Sequence, residues 1–100
     1  MIRHGVIIDE RRIADFCEQH GICRLRLFGS ILRDDFGTES DVDVLVEFAP
    51  GRSPGWIGFA ALALELERII GREVDLRTAA DFSDSIRRRV LDESEVQYAA

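Results

Sequence analysis

Gly29-Ser30-Ile31-Leu32-Arg33-Asp34-Asp35-Phe36-Gly37-Thr38-Glu39-Ser40-Asp41-Val42-Asp43 joins two runs of alternating apolar residues. Upstream, Cys23, Leu25 and Leu27 alternate with Arg24 and Arg26, the period of a strand with one buried face that ends at Gly29. Downstream, Asp41 to Phe48 reads as a second strand, with Val42, Val44, Val46 and Phe48 on one face and Asp41, Asp43, Leu45 and Glu47 on the other. Gly29-Ser30 therefore closes a strand and opens one or two helical turns over Ser30 to Asp35. Such a junction directs backbone N–H groups and a hydroxyl toward a docking phosphate. Asp41 and Asp43 leave the same face with Cα atoms about 6.5 to 7 Å apart, close enough to share one or two hard cations. Two ionised carboxylates side by side repel, and a divalent ion or full hydration relieves them. Taken singly, Asp-x-Asp is common on exposed strand edges, and Gly-Ser is a turn with an N-cap. Taken together, a phosphate-type turn and a carboxylate pair are the two halves of a nucleoside triphosphate site.

Working outward, Asp9 is placed to cap a first helix running to about His20, with Ile8 and Ile13 as a hydrophobic staple, Ile13, Phe16 and Cys17 as the buried stripe, and Gly21 as the stop. Ser53 as N-cap and Pro54 in the first turn open a long helix that Gly71 closes. Its core stripe is Trp56, Phe59, Leu62, Ala63, Leu66, Ile69 and Ile70. Ile57, Ala61 and Leu64 fall on the opposite side beside Arg68, as scattered exposed aliphatics or as a surface for a partner or a second copy. Glu73 to Arg77 is a third strand with Val74 and Leu76 toward the core and Glu73, Asp75 and Arg77 opposite. A last helix is expected from Asp81 to about Glu93, with Asp84 early and Arg87, Arg88 and Arg89 late, as the helix dipole favours. The order α-β-α-β-α-β-α implies an α/β or α+β fold, a sheet with helices packed against it.

The chain has 100 residues, 13 Lys plus Arg against 19 Asp plus Glu and a formal net charge of −6, which suits a single domain over 1–100 and excludes a multi-domain polymerase within it. The acidic balance opposes direct binding to nucleic acid, because a duplex binder carries a basic face that releases counterions. Cys17 and Cys23 form neither a CxxC pair nor a zinc set and read as small buried thiols of a reducing, cytoplasmic compartment. No secretion signal and no membrane span is visible. His4 and His20 have no local partner pattern, and the three consecutive arginines fan around their helix as a solvated surface.

Gly29-Ser30, Arg33 and Ser40-Asp41-Val42-Asp43 resemble the signature of the DNA polymerase β-like nucleotidyltransferase superfamily, and the short chain resembles its minimal nucleotidyltransferase (MNT) branch. The resemblance implies a mixed sheet and a third carboxylate from a later strand, a place that Asp75 in Glu73-Val74-Asp75-Leu76 fits. It implies transfer of a nucleotidyl group with two Mg²⁺ ions held by Asp41, Asp43 and Asp75, the last receiving the proton of the attacking hydroxyl, while Gly29 and Ser30 hold the β- and γ-phosphates. Arg33 reaches either a phosphate or a nearby carboxylate such as Asp35. Ser40 either bonds to the carboxylate that follows or satisfies a turn. Stand-alone prokaryotic proteins of this branch are frequently antitoxins paired with a HEPN-domain ribonuclease, which implies AMP transfer from ATP to a tyrosine hydroxyl of that toxin. The alternative is an MNT-fold subunit that neutralises its partner by binding alone, and a third class of acceptor is a small molecule or an RNA end.

Overall fold

The computed structural model describes residues 2–100. A short hairpin of β1 (Ile2–Arg3) and β2 (Val6–Ile7) turns through His4 and Gly5, both at positive φ. The first helix, α1, spans Glu10–His20, and the Asp9 carboxylate accepts hydrogen bonds from the backbone N–H groups of Arg11 and Arg12. Gly21, in the left-handed conformation, ends it as expected. The chain continues through β3 (Ile22–Phe28), β4 (Val42–Phe48), α2 (Trp56–Ile70), β5 (Val74–Arg77), α3 (Asp84–Glu93) and β6 (Glu95–Ala99). Among the described residues, no helix is long and apolar enough to cross a membrane.

β3 to β6 form one sheet in the order β5-β4-β3-β6. β4 and β6 both pair antiparallel with β3, while β5 runs parallel to β4, so the sheet is mixed. The parallel pair needs a crossover, and α2 supplies it. Ile13, Phe16 and Cys17 of α1 and Leu62, Leu66 and Ile70 of α2 pack with Leu25, Leu27, Val42, Val44, Val46 and Leu76 of the sheet into one core. Burying each of these larger aliphatics contributes about 1.5 to 3 kcal/mol. Leu45 faces the other way and is buried too, so the face that carries Asp43 is not open along its whole length. On that face Phe82 meets Phe28 edge to face at 5.8 Å.

Several sequence expectations are corrected. Cys23 is only half buried, because a register shift between Ile22 and Arg24 lets Ile22 take the core position. α2 begins at Trp56 with Gly55 as its cap, not at Ser53 and Pro54. Residues before proline favour extended backbone, and Pro54 packs across the first turn, where Gly58 leaves room for its ring. Trp56 consequently projects from the end of the helix, 93% exposed, and is not part of the core stripe. α3 begins at Asp84, because Thr78 and Asp81 close a 3₁₀ turn over Ala79–Asp81 through a reciprocal capping box. The first hairpin and β6 lie outside the predicted order altogether.

Candidate functional site

The β4–β5 register sets Asp43 directly beside Asp75, and the β3–β4 register sets it beside Phe28. The three strands thus converge on one carboxylate. Gly29, the residue after Phe28, turns away at φ +75°, and a Cβ there would collide with the Asp43 carboxylate. Glycine is required twice over, by the left-handed backbone and by the close approach. A single 3₁₀ turn follows over Gly29–Leu32, anchored by the fully buried Ile31 and closed by a 2.9 Å hydrogen bond from Arg33 N–H to the Ser30 carbonyl. It is shorter than the one or two helical turns expected to Asp35.

Asp41 precedes β4 and is exposed at the mouth of the site. The next residue is tied to β5, with Val42 N–H donating to the Glu73 carbonyl at 2.8 Å. Asp43 is half buried, and its carboxyl is pushed above the ordinary value of 3.8, first by burial and then by the negative charges of Asp75 and Asp41. Arg77 and Arg33 offset part of this. Asp43 therefore feels both of the other predicted carboxylates. Asp75 is drawn onto Arg77, which stands two residues along on the same face and donates from Nε to Oδ1 at 2.9 Å and from Nη2 to Oδ2 at 3.3 Å.

With Asp75 so held, no three carboxylate, imidazole or thiolate groups are gathered at metal-ligand spacing among the described residues. The donor chemistry nevertheless fits a hard divalent cation. Asp43 is disfavoured in its ionised form by burial and then by two like charges, which a bound cation would relieve, and only the side-chain-free Gly29 packs against its carboxylate on that side.

Ser40 closes a turn, its Oγ accepting from Gly37 N–H at 3.0 Å. Arg33 pairs with Asp35 through a single 3.2 Å contact, the carboxylate partner foreseen for it. Arg72 went unforeseen. Its Nη2 points into three carbonyls, those of Gly37 at 2.9 Å, Thr38 at 3.3 Å and Ser40 at 2.6 Å. Its guanidinium also lies 4.7 Å from the centre of the Phe36 ring. Arg72 thus pins the loop that delivers Asp41, and the only trace in sequence is a lone arginine between a helix-ending glycine and a strand. Arg89 is solvated as expected, its side chain 79% exposed, and it also lines an open cavity of about 510 Å³ with Gly29, Leu32, Arg33 and Glu93. A second cavity of about 510 Å³ lies between α1 and α2, lined by His20, Arg52, Glu65 and neighbours, and none of the three aspartates lines either cavity.

The sequence matches the nucleotidyltransferase domain family over residues 10–96. A Methanocaldococcus jannaschii relative, provisionally named a protein adenylyltransferase, is 35% identical over 85 residues, covering 85% of this chain and 89% of the relative. A solved structure, provisionally described as a minimal nucleotidyltransferase, superposes with a TM-score of 0.72 at 34% identity, covering 86% of each chain. A chain from the complex of a tri-AMPylated Shewanella oneidensis HEPN toxin with an MNT antitoxin superposes with a TM-score of 0.65 at 22% identity, over 91% of this chain and 70% of that one, a likeness of fold. The mixed sheet, the glycine turn beneath a strand-borne aspartate and a family match along most of the sequence agree: the chain belongs to the nucleotidyltransferase domain family.

Proposed function

We propose that this chain transfers AMP from ATP to a tyrosine hydroxyl of a HEPN-domain ribonuclease and thereby neutralises it. The observation that carries the reading is the β4–β5 register, with Asp43 beside Asp75 and the Gly29 backbone against Asp43. The family match supports nucleotidyl transfer, the M. jannaschii relative supports a protein acceptor, and the S. oneidensis complex supports a HEPN partner and AMP as the group moved.

In this reading the Gly29 and Ser30 backbone and the Ser30 hydroxyl hold the β- and γ-phosphates, Arg33 adds positive charge beside them, and Ser40 shapes the turn that delivers Asp41. Asp41, Asp43 and Asp75 would hold Mg²⁺, which when bound neutralises phosphate charge and lowers the pKa of a coordinated hydroxyl. The tyrosine oxygen bonds to the α-phosphorus. The bond from that phosphorus to the bridging oxygen breaks, and pyrophosphate leaves with the electron pair. Asp75 takes the tyrosine proton once Arg77 has released its carboxylate. Ile57, Ala61 and Leu64 on the outer face of α2 are assigned to association, with the partner or with a second copy.

The second reading, neutralisation by binding alone, is favoured by one observation, the two-pronged hold of Arg77 on Asp75. Intact mass measurement of the cognate HEPN partner after incubation with this chain, ATP and Mg²⁺ separates the two. Mass gains of one or more AMP units, absent with an Asp41→Asn plus Asp43→Asn variant, are expected. An unchanged mass, with inhibition retained by the double variant, would leave binding alone as the function.

A further inference from the structure

Three arginines in succession, 87 to 89, leave a helix about 100° apart and cannot share one task. Arg87 is committed to structure. It donates to the carbonyls of Ala79 at 2.8 Å and Phe82 at 3.0 Å and pairs with Asp84 at 3.2 Å, tying α3 to the turn before it. Arg89, its side chain 79% exposed, lines the open cavity of about 510 Å³ whose other walls are Gly29, Leu32, Arg33 and Glu93. Two arginines, separated in sequence by the whole of β4, α2 and β5, thus line one space beside the glycine turn. The charged groups lining this space are Arg33, Arg89 and Glu93, a local balance of +1 in a chain whose net charge is −6.

Both arginines are lightly held. Arg89 meets Glu93 through one long contact of 3.5 Å between exposed side chains, and Arg33 meets Asp35 through one of 3.2 Å. Exposed single-contact pairs of this kind are worth about 0 to 1 kcal/mol, so exchanging the carboxylate for a phosphate oxygen costs little. A planar guanidinium offers two parallel N–H donors that match phosphate oxygens, which a lysine does not.

We infer that Arg89, together with Arg33, binds the terminal phosphates of the nucleoside triphosphate in the cavity beside Gly29, so that α3 reads the polyphosphate tail. The inference rests on the proposed transfer reaction and names the residues that distinguish a triphosphate from a monophosphate. Glu93 is then a competitor for Arg89, vacated when the phosphates enter.

Titration calorimetry of the full chain with ATP and with AMP, both in Mg²⁺, tests this. Arg89→Ala is expected to weaken ATP binding about tenfold, the loss of one charge-assisted contact, and to leave AMP binding unchanged. Glu93→Gln is expected to tighten ATP binding, and Arg88→Ala to change neither ligand. If Arg89→Ala unfolds, Glu93→Gln still decides, since it removes no contact to phosphate. ATP affinity unchanged in both the Arg89 and Glu93 variants of a wild type that binds ATP would overturn the inference alone. A folded wild type that binds no ATP and transfers no AMP would overturn the reaction as well.

Discussion

Asp43 and Asp75 stand opposite one another across the parallel β4–β5 pair, two acids held side by side by backbone register and not by any contact between their side chains. The fold therefore pays for this arrangement at Asp43, whose carboxyl is raised by burial and by its acidic neighbours. A group whose folded pKa lies above its unfolded value adds stability below the unfolded value and loses it as pH rises through the folded one. At neutral pH the ionised Asp43 is thus a destabilising residue. Asp43→Asn is expected to raise the melting temperature by a few degrees at pH 7 in EDTA, with the difference closing at strongly acid pH. Mg²⁺ at about 100 times its dissociation constant should stabilise the wild type by about 2.7 kcal/mol and leave Asp41→Asn plus Asp43→Asn unaffected. Melting curves across pH, with and without the metal, check both.

Gly29→Ala meets two obstacles, a positive φ and the Asp43 carboxylate. The backbone alone is expected to cost about 1 kcal/mol or more. Displacement of Asp43 should abolish AMP transfer even where the variant remains folded, measurable by chemical denaturation beside an intact-mass transfer assay.

Arg72→Ala removes the donor that gathers the carbonyls of Gly37, Thr38 and Ser40. A loss of about 2 kcal/mol is expected, since hydrogen bonds from charged groups exceed neutral ones. Arg72→Lys should restore little of it, because an ammonium lacks the planar fork. Hydrogen exchange at Thr38 to Asp41 should quicken in both variants, while the core strands keep their protection.

Leu64 is 56% exposed and Ile57 89%, so a charge at position 64 meets water in the free chain. Leu64→Glu is expected to change stability by less than about 0.5 kcal/mol and to break association with the partner or a second copy. Light scattering after size exclusion reads the outcome, and an unchanged complex size would remove this face from the interface.

Cys17 is fully buried, and its thiol is pushed from 9.0 up to about 12 by burial, with a smaller push from Glu18. The unfolded thiol ionises first, so stability is unaffected below about pH 9 and falls by about 1.4 kcal/mol per pH unit between the two values. Cys17→Ala should flatten that decline. A thiol reagent at pH 8 should label Cys23, which is half buried, and reach Cys17 only after denaturation.

The Asp9 cap, the Gly21 and Gly71 stops and the alternation of β3 from Leu25 and of β4 from Val42 were legible because each is a local rule, satisfied within a turn or a few residues. Boundaries failed where a neighbour intervened. Pro54 packs on α2 and does not begin it, and the Thr78–Asp81 box takes the start of α3 for a turn of its own. β6 carries too weak a pattern to be read alone, since half of what makes it a strand is the unpaired edge of β3.

By itself the sequence determined the family, the residue types of the site and the face on which Asp43 and Asp75 leave their strands, since the period of a strand and the glycine of a left-handed turn are properties of the chain alone. Tertiary structure decided which of those residues meet. The register that sets Asp43 beside Asp75, the clamp of Arg72 on the loop before Asp41 and the placement of Arg89 beside Gly29 and Arg33 are relations between elements. Pairing of strands and packing of helices fix such contacts through space, and no spacing along the chain encodes them.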